Sequence, residues 1–326
     1  MAMLSNLRLC GLKGPLLAAF AFAMQTAIVT AQDHCDVPTH LAVKFSDSNC
    51  DLLADPPQEP DAFRNPNTLV WAYAPIEDPA IYADLFKPFT SHLARCVGRQ
   101  IVYYPVQSEI AQVRAFASGR LHFSGFATGA TVSAVETAGA HPFAAKGTAE
   151  GMRGYRLIAI VRADSGIQSL GTLAGKRIAH TTRQSNSGNN APNYFFKQHG
   201  LRPGKDYQPI FSGGHSQSIL GVLGGDYDMA AVASDVFTRM ADRGRINKDD
   251  FRILFESPLF PTSSFALAHN LDPELSERLR SCFFNFTFPP KMSAAFQGDN
   301  RFIPVHYKSD WKVVRDVIEM NKTTPD

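Results

Sequence analysis

The sequence predicts an α/β protein of two similar lobes facing one cleft, a hinged clamshell in which each lobe is a mixed sheet flanked by helices. Three observations predict it. From about Asn67 onward, short apolar runs alternate with segments of helical period. That alternation restarts after a strongly apolar run, Tyr155 to Val161. A second extended stretch, Phe251 to Ser263, then leads the chain back through Ser257-Pro258. Strand–helix alternation argues for a parallel or mixed sheet covered by helices. Two such units joined by two extended connections describe a hinge that closes around a ligand. The expected division is residues 67–157 for the first part of lobe 1, 158–258 for lobe 2, and 259–326 for the return to lobe 1.

The elements follow in order. Leu69 to Tyr73 reads as a strand. Ile81, Leu85, Phe89 and Leu93 recur every fourth residue and mark a helix face, with Pro88 a kink or restart. Ile101 to Tyr104 is the next strand. Ser108 caps a helix whose apolar face is expected at Ile110, Val113 and Phe116/Ala117, stopped by Gly119. Leu121 to Phe126 is a strand, and Thr131 to Thr137 a helix. In the second unit, Lys176–Thr181, Tyr207–Phe211 and Tyr227–Val232 are strands. They alternate with helices at Asn189–Gln198 and Ser216–Leu223 and with one opened by Asp235. Further helices lie around Glu274 to Cys282 and after Trp311.

The N-terminus differs in kind. Arg8 and Lys13 precede a mostly apolar run from Pro15 to about Met24, and Val29-Thr30-Ala31 offers small residues before polar Gln32-Asp33. This is the pattern of a cleaved secretory signal, residues 1–31. Its apolar core is interrupted by Gln25 and Thr26 and falls short of the ~20 residues that a spanning helix needs. A proline-rich extension, residues 32–66, follows. The whole chain carries 32 basic and 30 acidic residues; the signal removes two bases and no acid, so the mature chain is neutral. No basic run stands out, which argues against nucleic acid as a partner. Export leaves Cys35, Cys50, Cys96 and Cys282, an even number for an oxidising compartment. Of three possible connectivities, a local Cys35–Cys50 staple is preferred, which leaves Cys96 with Cys282. Without a Cys-x-x-Cys or a His/Cys cluster, no metal and no cofactor are expected.

Ligands of open α/β sheets bind beyond the carboxyl ends of the strands. Three segments put small polar groups there, each before a helix: Gly125-Phe126-Ala127-Thr128-Gly129, Ser185-Asn186-Ser187-Gly188-Asn189-Asn190 and Ser212-Gly213-Gly214-His215-Ser216. Free N–H groups and the positive end of a helix dipole suit an anion. One such segment alone is an ordinary helix cap; three at equivalent places in two lobes carry more weight.

The run Ser185-Asn186-Ser187-Gly188, followed by Phe211-Ser212-Gly213-Gly214-His215 and then by Ile219 to Ala231 with its Gly225-Asp226-Tyr227-Asp228, resembles the phosphate/phosphite/phosphonate-binding proteins of ABC transporters. Pro75 to Phe89, the strand ending at Phe126 and Ser257-Pro258-Leu259-Phe260-Pro261 fall in that family's order, so the resemblance spans roughly residues 67 to 290. It implies a type II-like, two-lobed periplasmic binding protein: a soluble monomer in the periplasm that captures a small oxyanion for a permease. A sensor role, presenting an oxyanion (arsenic oxyanions included) to the periplasmic domain of a kinase, is the alternative. The headgroup contacts it implies are Ser185, Asn186, Ser187 and His215, with Phe126, Ala127 and Thr128 from the first lobe. Asp235 matches an acidic position used for a substituent amine. Phe126 stands where relatives often have a tyrosine and cannot donate a hydrogen bond. Glu109 replaces a second aromatic hydroxyl, and Ser263 or Ser264 replaces an aspartate. An enzyme is disfavoured: Gly-x-Ser-x-Gly and His-Glu-x-x-His are absent, and no acid is placed behind a Ser212/His215 pair.

Overall fold

The computed structural model describes Cys35, residues 39–77 and residues 79–323; the expected signal peptide lies outside them. The first sheet begins with β1 (Thr68–Tyr73), and its covering helices α1 (Pro79–Leu85) and α2 (Lys87–Val97) are separate, broken at Phe86 just before Pro88. Leu85, Phe89 and Leu93 are buried, whereas Ile81 is exposed. β2 (Gln100–Tyr103), α3 (Glu109–Ala117), β3 (Phe123–Phe126), α4 (Thr128–Ala138) and β4 (Ala140–Gly147) follow. Ser108 caps α3, accepting from the Ala111 N–H at 3.2 Å. The face of α3 differs from expectation. Glu109, Gln112 and Phe116 are buried and Ile110 is exposed. The reason is polar: the Gln112 amide donates to Ser124 Oγ (2.8 Å) and to the Gly125 carbonyl (3.0 Å), which turns that side of the helix inward.

The second sheet holds β5 (Leu157–Arg162), β6 (Arg177–His180), β7 (Gln208–Phe211), β8 (Met229–Ala233) and β9 (Phe251–Glu256). Between them come α5 (Ala191–Gln198), α6 (His215–Gly224) and α7 (Ser234–Asp242). The chain then returns to the first sheet as β10 (Ser264–Ala268). It continues with α8 (Pro273–Phe284), α9 (Pro290–Ala295), β11 (Arg301–Pro304), α10 (Tyr307–Asp310) and α11 (Lys312–Thr323). Strand order is β11-β4-β10-β3-β1-β2 in one sheet and β7-β6-β8-β5-β9 in the other. The protein is thus a two-lobed α/β fold. A ring-on-ring core of Trp71, Phe86, Phe89, Phe123, Phe265, Phe283 and Phe302 fills the first lobe.

Two connections, 148–156 and 257–263, join the sheets. They pair with each other: Tyr155 N–H donates to the Phe260 carbonyl (3.0 Å) and Phe260 N–H to the Tyr155 carbonyl (2.8 Å). The C-terminal stretch is not confined to the first sheet. Trp311 Nε1 donates to the Thr128 carbonyl (3.1 Å), and Asn321, at the far end of α11, donates to the Asn190 carbonyl (2.8 Å). Both disulfides, Cys35–Cys50 and Cys96–Cys282, are formed, with Cα separations of 5.4 and 5.9 Å.

Candidate functional site

Strand direction brings the candidate residues to one cleft. β10 runs antiparallel to both β3 and β4, and β1 is parallel to β3, so β1, β3 and β4 all point the same way. Their carboxyl ends carry Tyr73, Ala127-Thr128 and Lys146 to one edge. In the second sheet β6, β7 and β8 are parallel and deliver Thr181 to Ser187, Gly213 to His215, and Asp235. Between these edges lies a cavity of about 80 Å³ lined by residues of both lobes.

The second-lobe wall is built of short neutral donors. A π-turn, Asn186–Asn190, runs directly into α5 and is capped by Ser185, whose Oγ accepts from Gly188 N–H at 3.1 Å. That leaves the Ser185 hydroxyl proton free. The N–H groups of Asn186 and Ser187, in the first turn, have no partner further back in the helix. Gly188 is required here, because a Cβ would lie 1.9 Å from Thr181 Oγ1. Buried Asn186 Oδ1 and Thr181 Oγ1 have no protein partner.

His215 opens α6. Its Nδ1 accepts from Ala233 N–H at 3.1 Å, so the neutral ring carries its proton on Nε2, 3.5 Å from Ser185 Oγ. Burial holds it neutral: its pKa is pushed down to about 4, burial outweighing the opposing charge of Asp235. The imidazole is therefore a hydrogen-bond donor and not a cation.

Ser185, Asn186, Ser187, His215, Ala127, Thr128 and Asp235 all line the cavity. Phe126 does not. Its ring is fully buried and packs edge-on against Phe116, centroids 5.2 Å apart, because the last residue of β3 points its side chain to the α3 face of the sheet. Thr128 contributes chiefly its backbone, since its hydroxyl donates to the Pro261 carbonyl at 2.9 Å. Asp235 is committed to Arg239 at 2.7 Å. Burial raises its pKa, but the Arg239 charge outweighs that and holds the carboxyl below its ordinary range.

The first-lobe wall holds what the sequence did not reveal. Lys146, at the end of β4, is buried and donates to Tyr73 Oη (2.8 Å) and Ser263 Oγ (2.6 Å). Tyr155, in the hinge, accepts from Asn186 Nδ2 at 3.2 Å, and burial pushes its pKa up to about 12. The lobes also touch directly. Arg239 and Arg243 of lobe 2 pair with Glu77 of lobe 1 at 3.1 and 2.8 Å. Thr182 donates to Glu109, whose pKa burial raises. Gly129 of α4 sits so near the second lobe that a Cβ there would lie 2.1 Å from the Gln184 carbonyl. The two lobes therefore meet across the cleft.

A neutral, donor-rich cavity between two hinged lobes defines a solute-binding protein of the kind that closes on its ligand. Residues 71–311 match the family described as the periplasmic phosphonate substrate-binding protein of ABC transporters, and the chain belongs to that family. It is similar to the phosphate-import protein PhnD of Mycolicibacterium smegmatis, 27% identical over 242 residues that cover 71% of this chain and 75% of the relative. Among solved structures it resembles the binding component of a phosphonate ABC transporter from Pseudomonas aeruginosa, with a TM-score of 0.70 and 18% identity. That match covers 78% of this chain and 86% of the other. It also resembles PhnD1 of Prochlorococcus marinus, solved in complex with methylphosphonate. There the TM-score is 0.70 and the identity 19%, covering 80% and 100% of the two chains.

Proposed function

We propose that the protein captures a small phosphonate, or a related phosphorus oxyanion such as phosphite or phosphate, in the periplasm and presents it to the permease of an ABC importer. Residues 1–31 serve as the export signal, and the mature protein acts as a monomer. Lobe 1 comprises residues 67–157 and 259–326, and lobe 2 residues 158–258. The observation that carries this reading is the convergence of Ser185, Ser187, His215 Nε2–H and two unpaired turn N–H groups on one cavity wall. An anion with little hydrocarbon gains almost nothing from apolar burial, so its affinity must come from many donors held at fixed positions.

Neutral donors at helix starts do this without the side-chain entropy of lysine or arginine. Ala127 and Thr128 supply backbone from the opposite lobe, so the ligand bridges the lobes and draws the population toward the closed form. Membership in a transport family favours the importer over the sensor and over catalysis. Calorimetry of the mature protein against methylphosphonate, phosphite, phosphate, arsenate and sulfate tests the reading. Saturable binding of a phosphorus oxyanion, with sulfate at least tenfold weaker, is expected. Failure to bind any phosphorus oxyanion overturns it.

A further inference from the structure

The buried lysine of the first-lobe wall is not needed to hold a single tetrahedral head against the second lobe. Lys146 is 5% exposed, and its ammonium sits over the rings of Phe296 (4.9 Å) and Tyr73 (5.1 Å). It has three donors, of which two go to the Tyr73 and Ser263 oxygens. Those two hydroxyls are 2.8 Å apart, so one donates to the other and the second keeps its proton. The group thus holds two unspent donors, one on nitrogen and one on oxygen.

No carboxylate lies within ion-pair distance of Lys146 among the described residues. Asp235 is taken by Arg239, Glu77 by Arg239 and Arg243, and Asp299 approaches Arg153 at 3.8 Å. Asp235 and Asp299 still feel the Lys146 charge at longer range. Burying an ammonium without a paired anion is costly, and an incoming anion relieves that cost. The flanking cavity belongs to the same small space that the serine–histidine wall faces.

We propose that Lys146, Tyr73 and Ser263 form a second anion subsite and that the ligand carries acid groups at both ends. A phosphonyl head lies on the second lobe and a carboxylate, one or two carbons away, on Lys146: a short phosphonocarboxylate. This rests on the phosphonate reading above. It assigns the first-lobe wall the role of selecting the substituent.

The probes are methylphosphonate and phosphonoacetate, titrated calorimetrically into the mature protein and into Lys146→Met and Ser263→Ala. A charge-assisted hydrogen-bonded contact predicts that wild type prefers phosphonoacetate by roughly tenfold to a hundredfold. Lys146→Met removes that preference by weakening phosphonoacetate far more than methylphosphonate, and Ser263→Ala reduces it. The wild-type comparison stands even if a variant does not fold. Equal affinities in wild type, or tighter methylphosphonate, overturn the two-ended ligand. Equal loss of both ligands in Lys146→Met assigns the lysine to the phosphonyl head and overturns the second subsite. Binding of neither probe by wild type is a failure of the phosphonate reading itself.

Discussion

The two walls of the cleft are built by different chemistry. The second-lobe wall uses consecutive residues: a serine cap, a glycine that admits Thr181 closely, and a histidine fixed in one tautomer by a backbone N–H. The first-lobe wall uses single residues from distant segments, Tyr73 from β1, Lys146 from β4 and Ser263 from the hinge, joined by hydroxyl and ammonium contacts. A wall made of one local motif can be read from the sequence. A wall assembled by strand order cannot, because nothing in the sequence near Lys146 points to Tyr73.

The largest expected effect falls on the contact between the walls. Arg239 lies between Glu77 of one lobe and Asp235 of the other, with its side chain only 10% exposed. Arg239→Met leaves two carboxylates facing each other, and breaking a buried pair in this way costs about 3–5 kcal/mol. Thermal denaturation should show the loss, and small-angle scattering a more open particle. A variant as stable and compact as wild type would mean that the hinge, α11 and the remaining contacts, Arg243–Glu77 and Thr182–Glu109, suffice to hold the lobes.

Next are the donors of the second wall. Ser187→Ala and His215→Ala should each weaken methylphosphonate binding by about 1–3 kcal/mol, the cost of one donor to a charged acceptor. Lys308→Ala, whose amine bonds the Cys50 carbonyl outside the cavity, should leave it unchanged. Calorimetry decides; unaltered affinity in both site variants would place the ligand elsewhere.

A third test uses pH. His215 and His180 are each held down to about 4 by burial, from an ordinary 6.5. Between those values the unfolded chain binds protons that the folded protein refuses, so folding stability should fall as pH drops from 6.5 toward 4. Denaturant midpoints at pH 7, 6 and 5 measure it. His180→Gln, which can keep a contact to Tyr207, should flatten the slope; an unchanged slope would assign it to other groups.

The smallest effect belongs to Glu109 on the first wall. Its pKa is raised by burial, so the folded protein prefers the acid form, and ionisation costs stability as pH rises above its ordinary 4.5. Glu109→Gln should therefore raise Tm at pH 7, by no more than roughly 2–4 °C. A lowered Tm would show that the contact with Thr182 needs a carboxylate.

The same division governs what could be read in advance. The two-lobed fold was legible because strands and helices alternate and restart, and because the caps and stops at Ser108, Gly119, Gly214 and Gly225 are local. β4 was missed. Pro142 interrupts its pattern, and the strand tolerates that proline because the pairing with β10 is irregular between Phe265 and Ala266. Lys146 was missed along with it. Phe126 was misplaced for a related reason: alternation along a strand decides which side a residue faces, and that parity depends on where the strand begins and ends. Glu109 stands out in the sequence only as a departure, because its partner lies in the other lobe.

The Cys96–Cys282 bond spans 186 residues and ties α2 to α8, both in the first lobe. All of the second sheet lies inside the ring that it closes. The second lobe is therefore an insertion hung from a covalently completed first lobe, and motion about its two connections does not strain the bond. The bond adds a covalent tie to halves already joined by the pairing of β10 with β3 and β4. In the chain-entropy view a ring of this length stabilises by about 5 kcal/mol. Reduction should then lower the melting point while leaving the two parts of the first lobe joined by the pairing of β10 with β3 and β4 and by their shared aromatic core.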